Sequence, residues 1–291
     1  MKISRRRFIA ISAAMVASPA AAQTHRWQGR ALGAEVSLTI QGPDDVAQKA
    51  LIDTEQMLRE IEKTFSLYDP NSSLSQLNAN GRLDRPSTWF QQLLTSSDHG
   101  YRQTDGLFDP SIQPLWQALA QGQSLSVARD VVGWNRVRHD AEAITLGAHQ
   151  ALTFNGIAQG FATDLIADQL AALGLTEALI NIGEYRGLGG PWRLGLSDPM
   201  HGTLGTRTLR GNAIATSSPS ALSLGDQAHI LHPDAAPRWS SVSVEAETAT
   251  RADCLSTGLC LAPLDLIAAV RDLPDIHRVT LVDFDGNLRS L

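Results

Sequence analysis

Apolar and polar residues alternate near the beginning of the chain and then recur at helical spacing. Between Trp27 and Ile40, polar residues separate the apolar positions Val36 and Leu38, which predicts a half-buried strand. From Asp44 to Phe65 the apolar positions recur every three or four residues. This spacing predicts a long amphipathic helix packed on a sheet.

Turn signals divide the next part of the chain. Residues 65–81 (FSLYDPNSSLSQLNANG) are mostly polar and contain Asp-Pro and Asn-Gly pairs, so they are predicted to form a loop. Ser87 to Tyr101 is predicted to be a second helix. The sequence TDG at residues 104–106 is expected to end it.

Short strands are predicted throughout the second half of the chain: Ala178–Ile182, Trp192–Leu196, Ala213–Thr216, Ser241–Val244 and Val279–Phe284. Most of them are joined by turns rather than helices, which predicts mainly antiparallel sheets with flanking helices, the α+β class. There is no internal repeat and no long linker. Residues 23–291 are therefore expected to form one domain, with a small lobe around Phe108–Arg138.

The stretch NGIAQGFATD, Asn155 to Asp164, lies between an alternating run (Ala143–Phe154), predicted to be a strand, and a helical run (Phe161–Gly174). Small residues at a helix start expose N–H groups to an anion, and Gly156 leaves room for a backbone carbonyl to approach a ligand. The stretch is neither a dinucleotide fingerprint nor a Walker loop. A tight turn that needs glycine is the alternative interpretation.

The first 22 residues form a separate segment. A basic start, a short apolar stretch and small residues at Ala20 and Ala22 predict a cleavable export signal at residues 1–22. Within it, Ser4–Phe8 (SRRRF) fits the twin-arginine pattern, so a periplasmic location is expected. An ordinary secretory signal is the alternative.

Charge and composition exclude several classes of function. Four of the 24 basic residues lie in the signal, which leaves 20 against 30 acidic ones and a net charge of −10. A nucleic-acid partner is therefore not expected. No later apolar run reaches the ~20 residues of a membrane helix. Cys254 and Cys260 are predicted to be buried small hydrophobes rather than a disulfide, since a helix would place them about 240° apart.

One candidate metal site is carried by Arg251–Leu261 (RADCLSTGLCL). If this stretch is helical, Asp253 and Thr257 are one turn apart, so a carboxylate and a hydroxyl converge. Oxygen donors of this kind suit Mg²⁺. A solvated helix face is the alternative interpretation.

Two further stretches could line a site. In AHILHP, His229 and His232 are available as proton carriers, but no set of zinc ligands is complete. In TDGLFDPSIQPLW, the turn before Leu107 and the Asp109-Pro110 pair leave a rigid strip that could line a flat pocket. A purely structural turn explains this strip equally well.

The order of these motifs resembles the ApbE-like family, the FAD:protein FMN transferases. The resemblance runs through LGAEVSL, FSLYDPNSSLSQLN, TDGLFDPSIQPL, NGIAQGFATD, ALINIGEYRGLG, PWRLGLSDP, AIATSS, HILHP and RADCLSTGL, and covers nearly all of residues 23–291. It implies a T-fold-like single domain. It also implies an enzyme of flavoprotein maturation that moves FMN from FAD to a Thr or Ser hydroxyl of an acceptor protein and releases AMP; with the export signal, this enzyme is expected in the periplasm.

The resemblance also implies roles for particular residues. Mg²⁺ would be held by Asp253, Thr257 and the backbone carbonyls of Gly156 and Ser256. FAD contacts would fall on seven positions: Leu32, Tyr68, Leu107, Phe108, Asp109, Gln159 and Ile230. Either His229 or Asp253 is the candidate base for the acceptor hydroxyl.

The chain departs from the family pattern at several positions. Thr153 stands where the family often has Asp, and Gln159 where it has Lys or Glu, which reduces the charge at the nucleotide site. Two alternatives follow: a non-catalytic FAD-binding or flavin-delivery protein, and an FAD pyrophosphatase. The chain lacks the family's Asp-Gly-x-Thr acceptor pattern, so the acceptor is expected to be another protein. One possibility is a membrane respiratory maturation protein.

Overall fold

The computed structural model describes residues 23–291, so the predicted export signal lies outside the described residues. The helices are α1 Asp44–Phe65, α2 Ser73–Asn80, α3 Thr88–Gln103, α4 Gln113–Ala120, α5 Leu125–Val131, α6 Ala158–Ala172, α7 Ala249–Leu259 and α8 Leu264–Arg271. The strands are β1 Thr24–Ala31, β2 Ala34–Gln41, β3 Arg82–Asp84, β4 Arg138–His139, β5 Ala143–Thr145, β6 Glu177–Asn181, β7 Tyr185–Leu188, β8 Trp192–Asp198, β9 Gly202–Leu209, β10 Ala213–Ser217, β11 Ser223–Leu224, β12 Gln227–Ala228, β13 Ser241–Ala246, β14 Ile276–Val282 and β15 Leu288–Ser290.

An antiparallel sheet forms the centre of the fold, in the order β1-β2-β6-β7-β10-β13-β14-β15. Its strands alternate, so that Leu38 and Ile180 face the main core under α1, α6 and α7. On the opposite face, Leu179 and Ile214 pack against Leu194 of the β8–β9 hairpin. This arrangement confirms the predicted α+β class with mainly antiparallel pairing.

Aromatic packing fixes the beginning of α6. The ring of Phe65, at the end of α1, lies 5.4 Å from the ring of Phe90, 5.8 Å from that of Phe154 and 6.0 Å from that of Phe161. Rings at these separations contribute packing energy beyond their buried area. Because Phe154 and Phe161 flank the NGIAQG stretch, this cluster holds the stretch in place.

Two sequence predictions are wrong. The polar segment 65–81 contains α2, because Leu74 and Leu77 are fully buried and the Ser72 side chain caps the helix by accepting from Ser75 N at 3.0 Å. The run Ala143–Phe154 is a strand only over β5. Beyond it the Asn78 side chain donates to Leu152 O and accepts from Leu152 N, which takes the place of strand pairing.

The alternating residues up to Ile40 form the predicted half-buried strand, β2. A turn at Leu32 (φ 50°) and Gly33 (φ 75°) joins it to β1, so the stretch from Trp27 is a hairpin rather than one strand. Cys254 and Cys260 are free and buried, as predicted. Within residues 23–291, no helix combines the length and the apolarity needed to cross a membrane.

Asp198 is a fully buried carboxylate at the end of β8. It accepts from the hydroxyls of Ser240 (2.7 Å) and Ser241 (2.6 Å) and from the backbone N–H groups of Met200 (2.7 Å) and His201 (2.9 Å). Burial alone would raise the pKa of Asp198, but these hydrogen bonds outweigh it and lower the pKa below its ordinary 3.8.

We therefore expect Asp198→Asn to lower the free energy of unfolding by about 3 kcal/mol at neutral pH. The reason is that some of the buried hydroxyl and N–H groups would lose the carboxylate oxygen that accepts from them. A lowered folded-state pKa stabilises the protein above the ordinary carboxyl pKa, and this contribution is lost as the pH falls through the folded-state value. Urea unfolding across pH should show a full gap between wild type and variant near neutrality and a shrinking gap below about pH 4. A gap independent of pH would contradict this account.

Candidate active site

A cleft of about 810 Å³ opens beside the β8–β9 hairpin. Its walls come from β1 and β2, the strip Leu107–Pro110, the beginning of α6, the ends of β6 and β10, and the segment 218–231. A cleft of this size is typical of small-molecule and cofactor sites.

Helix α7 brings Asp253 and Thr257 to this cleft, one turn apart as predicted. Asp253 is 3% exposed, and its Oδ2 accepts from the N–H of Gly160 on α6 at 2.9 Å. Thr257 Oγ1 donates to the carbonyl of Gly156 at 3.5 Å. The predicted carboxylate, hydroxyl and carbonyl therefore converge at the place where α6 begins beside α7.

Hydroxyl groups surround this meeting point. Ser217 Oγ lies 2.8 Å from Ser256 Oγ and 3.2 Å from Thr257 Oγ1. Ser256 is fully buried, and its hydroxyl donates to the carbonyl of Asp253 at 3.0 Å, so its side chain does not line the cleft. The proposed contribution of Ser256 through its backbone carbonyl remains a prediction.

Two carboxyl groups share the cleft. Burial raises the pKa of Asp253, the Gly160 N–H opposes this, and the charge of Asp164 adds to it. Burial also raises the pKa of Glu184 well above its usual range, and the nearby charge of Asp253 raises it further, although Thr216 N–H donates to the Glu184 carboxylate at 3.1 Å. A divalent cation would favour the charged form of both groups.

The oxygen atoms at this point suit Mg²⁺ rather than a metal that is enclosed completely by protein side chains. Among the described residues, no group of three or more His, Cys, Asp and Glu side chains could hold a metal ion. The oxygens of Asp253, Thr257 and the Gly156 carbonyl are hard donors. Mg²⁺ is usually held by one or two carboxylates and shares its remaining positions with water and substrate phosphates, so these residues fit it.

His229 lines the cleft with a defined tautomer. Its Nδ1 lies 3.0 Å from the carbonyl of Pro219 and 3.2 Å from that of Leu222. Carbonyl oxygens only accept, so Nδ1 carries a proton, and in the neutral ring Nε2 is the basic atom. The other candidate, His232, does not line the cleft, and its Nδ1 accepts from Asp234 N at 3.1 Å.

The predicted FAD contacts fall into two groups. Five of them line the cleft: Leu107, Phe108, Asp109, Gln159 and Ile230. The other two, Leu32 and Tyr68, do not. Tyr68 is 84% exposed, whereas the Leu32 N–H donates to Glu62 at 2.9 Å and its carbonyl accepts from Gln159 Nε2 at 3.4 Å. Leu32 therefore reaches the cleft indirectly, through Gln159.

Sequence reasoning missed a row of uncharged polar side chains across the sheet. Gln28 pairs with Ser37, Ser37 with Asn181, and Asn181 with Tyr185, and all four line the cleft. Burial, followed by the charge of Glu184, raises the pKa of Tyr185 to about 12, so its hydroxyl remains a donor. No spacing along the chain reveals this row, because it depends on the register of four strands.

Comparison with known proteins identifies the family. The ApbE family pattern matches residues 32–279. A Haemophilus influenzae protein named FAD:protein FMN transferase is 25% identical over 253 residues, covering 73% of this chain and 72% of that protein. A Vibrio cholerae protein of the same name is 24% identical over 287 residues, covering 86% and 85%.

Solved structures share the fold. The flavin transferase ApbE from Vibrio cholerae superposes with a TM-score of 0.80 at 20% identity, covering 92% of this chain and 97% of that one. The apo flavinyl transferase ApbE from Pseudomonas stutzeri gives 0.79 at 23% identity, covering 92% and 94%. With the family pattern extending over most of the described residues, the chain belongs to the ApbE family.

Proposed function

We propose that this protein is an Mg²⁺-dependent enzyme that transfers FMN from FAD to a Ser or Thr hydroxyl of an acceptor protein and releases AMP. The observation that carries the proposal is the convergence of Asp253, Thr257 and the Gly156 carbonyl in a cleft large enough for a dinucleotide. The names of the two relatives give the group that is transferred.

The reaction exchanges a phosphoanhydride bond for a phosphoester bond. The acceptor oxygen bonds to the phosphorus of the FMN half, and the bond from that phosphorus to the bridging oxygen breaks, so the bridging oxygen leaves with AMP. The hydroxyl proton passes to a base. This chain must therefore orient the pyrophosphate, offset its charge and accept one proton.

A cation supplies the positive charge that an anionic substrate needs in this cleft. Without it, the raised pKa values of Glu184 and Asp253 favour their neutral forms, which offer no positive charge to a pyrophosphate. Mg²⁺ held by Asp253, Thr257 and the carbonyls of Gly156 and Ser256 would supply positive charge at the phosphates. Asp253 is assigned to the cation because one of its oxygens is already fixed by Gly160 N–H.

This assignment leaves His229 as the base. Because Nδ1 donates to backbone carbonyls, Nε2 is the basic atom of the neutral ring, and the imidazolium formed when it takes a proton keeps the same two acceptors at Nδ1.

We expect His229→Ala to lower kcat for transfer about 10²- to 10⁴-fold, the usual contribution of a positioned base. The affinity for FAD, measured by flavin fluorescence, should change little. His232→Ala is the matched control, since it removes a histidine three residues away that lies outside the cleft lining. A His229→Ala enzyme with unaltered kcat would exclude this role.

Two alternatives give different products. To distinguish them from transfer, the protein is incubated with FAD, Mg²⁺ and an acceptor flavoprotein domain carrying an Asp-Gly-x-Thr segment. The nucleotides are then analysed by chromatography. AMP in equal amount to acceptor-bound FMN supports transfer. AMP with free FMN supports an FAD pyrophosphatase, and unchanged FAD supports a carrier. If FAD is unchanged, the Gln159→Lys variant tests whether a positively charged side chain at this position restores transfer.

We further propose that the enzyme acts in the periplasm on another protein, exported by the twin-arginine signal at residues 1–22. The support is the sequence of that segment. Replacing both Arg5 and Arg6 with Lys should retain the protein in the cytoplasm, as judged by cell fractionation. Export of this variant at the normal level would favour an ordinary secretory signal.

A further inference from the structure

Asp164, the last residue of the stretch NGIAQGFATD, lies one turn after Gly160 on α6. Its side chain contacts the N-terminal end of α7, the helix that carries Asp253 and Thr257. Its Oδ1 accepts from Ala249 N at 2.9 Å, and its Oδ2 accepts from Thr250 N at 2.8 Å and Thr250 Oγ1 at 2.5 Å. Arg186 Nη1 donates to Oδ1 at 2.8 Å. Both oxygens of this buried carboxylate therefore accept hydrogen bonds.

These bonds add to the ordinary helix cap that Thr248 provides. The first N–H groups of a helix have no partner inside it. In α7 the N–H of Arg251 is satisfied by the Thr248 side chain, while those of Ala249 and Thr250 are satisfied by Asp164 from a different helix. The position of the beginning of α7 is thus set by α6.

A second contact one turn earlier on α6 fixes the middle of α7. Gly160 N–H donates to Asp253 Oδ2 at 2.9 Å, and a Cβ at Gly160 would lie 2.3 Å from the Ala249 carbonyl oxygen. Two points of attachment on α6, spaced by one turn, prevent α7 from sliding or rotating relative to α6. The orientation of Asp253 and Thr257 depends on both.

We propose that Asp164 is a positioning residue: through the N-terminus of α7 it places Asp253 and Thr257 so that they bind the cation together with the Gly156 carbonyl. This inference deepens the proposed function and rests on it for the identity of the cation.

The test compares Asp164→Asn with Asp198→Asn. Both replace a buried carboxylate that accepts from backbone N–H and hydroxyl groups by an amide of the same size. The partners of Asp198 lie outside α6 and α7. The asparagine amide at 164 would place a donor against the donors of Ala249 or Thr250, so α7 should shift.

Two measurements are made on each purified protein: calorimetric titration with MgCl₂ alone, and hydrogen exchange of the Gly160 amide by NMR. Asp164→Asn should weaken Mg²⁺ binding at least about 10-fold, as loss of a group that orients metal ligands does. Gly160 exchange should also rise well above that of Asp198→Asn at a matched loss of thermal stability. Asp198→Asn should leave Mg²⁺ affinity close to that of wild type.

If Asp164→Asn loses stability but keeps wild-type Mg²⁺ affinity and Gly160 protection, Asp164 is merely structural and the inference is overturned. If wild type itself binds no Mg²⁺, the proposed function fails at its cation. Gly160 exchange then still decides whether Asp164 positions α7.

Discussion

Asp253→Asn is expected to reduce FMN transfer by about 10³-fold or more, because a metal ion at a phosphoryl centre contributes several kcal/mol and each 1.36 kcal/mol is tenfold in rate. Asparagine has nearly the same size and can still accept from Gly160 N–H, so the fold should survive. The loss follows from removal of the charged donor that α7 brings to the cleft. Initial rates of AMP release at saturating FAD measure it.

The neighbouring hydroxyl supplies a graded control. Thr257→Ser keeps the oxygen next to the Gly156 carbonyl and should retain most activity, whereas Thr257→Val removes it and should lose activity together with Mg²⁺ affinity. If the Asp253→Asn variant released AMP at the wild-type rate under limiting Mg²⁺, the cation would have to be held elsewhere.

Gly160→Ala is expected to cost about 3 kcal/mol of unfolding free energy, at the upper end of the usual cost of overpacking. The added Cβ would lie 2.3 Å from the carbonyl oxygen of Ala249 and 2.7 Å from Asp253 Cβ, and the backbone of α7 cannot move away without losing its contacts with Asp164. An ordinary Gly→Ala change inside a helix stabilises the protein by roughly 0.5–1 kcal/mol, so the sign of the effect is itself the test.

Urea unfolding and FMN transfer should be measured on the same Gly160→Ala sample. Gly100→Ala in α3 is the matched control, because the atoms nearest to its Cβ, at 3.0 and 3.1 Å, belong to the side chains of Phe108 and Cys254 and can adjust. We expect a smaller loss there. A Gly160→Ala protein as stable as wild type would mean that α6 and α7 are not held as closely as described.

The parts of the site that lie on one continuous element could be predicted from the sequence. Asp253 and Thr257 are four residues apart, and a helix makes that spacing a convergence in space. The alternation of β2 likewise predicted which of its residues are buried. In each case the local period sets the geometry within a single element.

The parts that depend on distant pairing could not be predicted. Glu184 becomes a cleft carboxylate because β6 and β7 form a hairpin whose neighbour β10 supplies Thr216 N–H. In the same way, the sequence indicates only a helix start around Gly160 and Asp164. Their contacts with α7 depend on the packing of two helices, and the residues in contact are 85 or more positions apart in sequence. Segment 65–81 was misread because polar residues conceal the two buried leucines of α2.

The most direct test of FMN transfer by this cleft is the intact mass of an acceptor flavoprotein domain after incubation with the enzyme, FAD and Mg²⁺. We predict that the acceptor gains the mass of FMN less one water, that an equal amount of AMP appears, and that EDTA or Asp253→Asn abolishes both. The account would be contradicted if the acceptor kept its mass while the enzyme consumed FAD at the same rate with and without the acceptor.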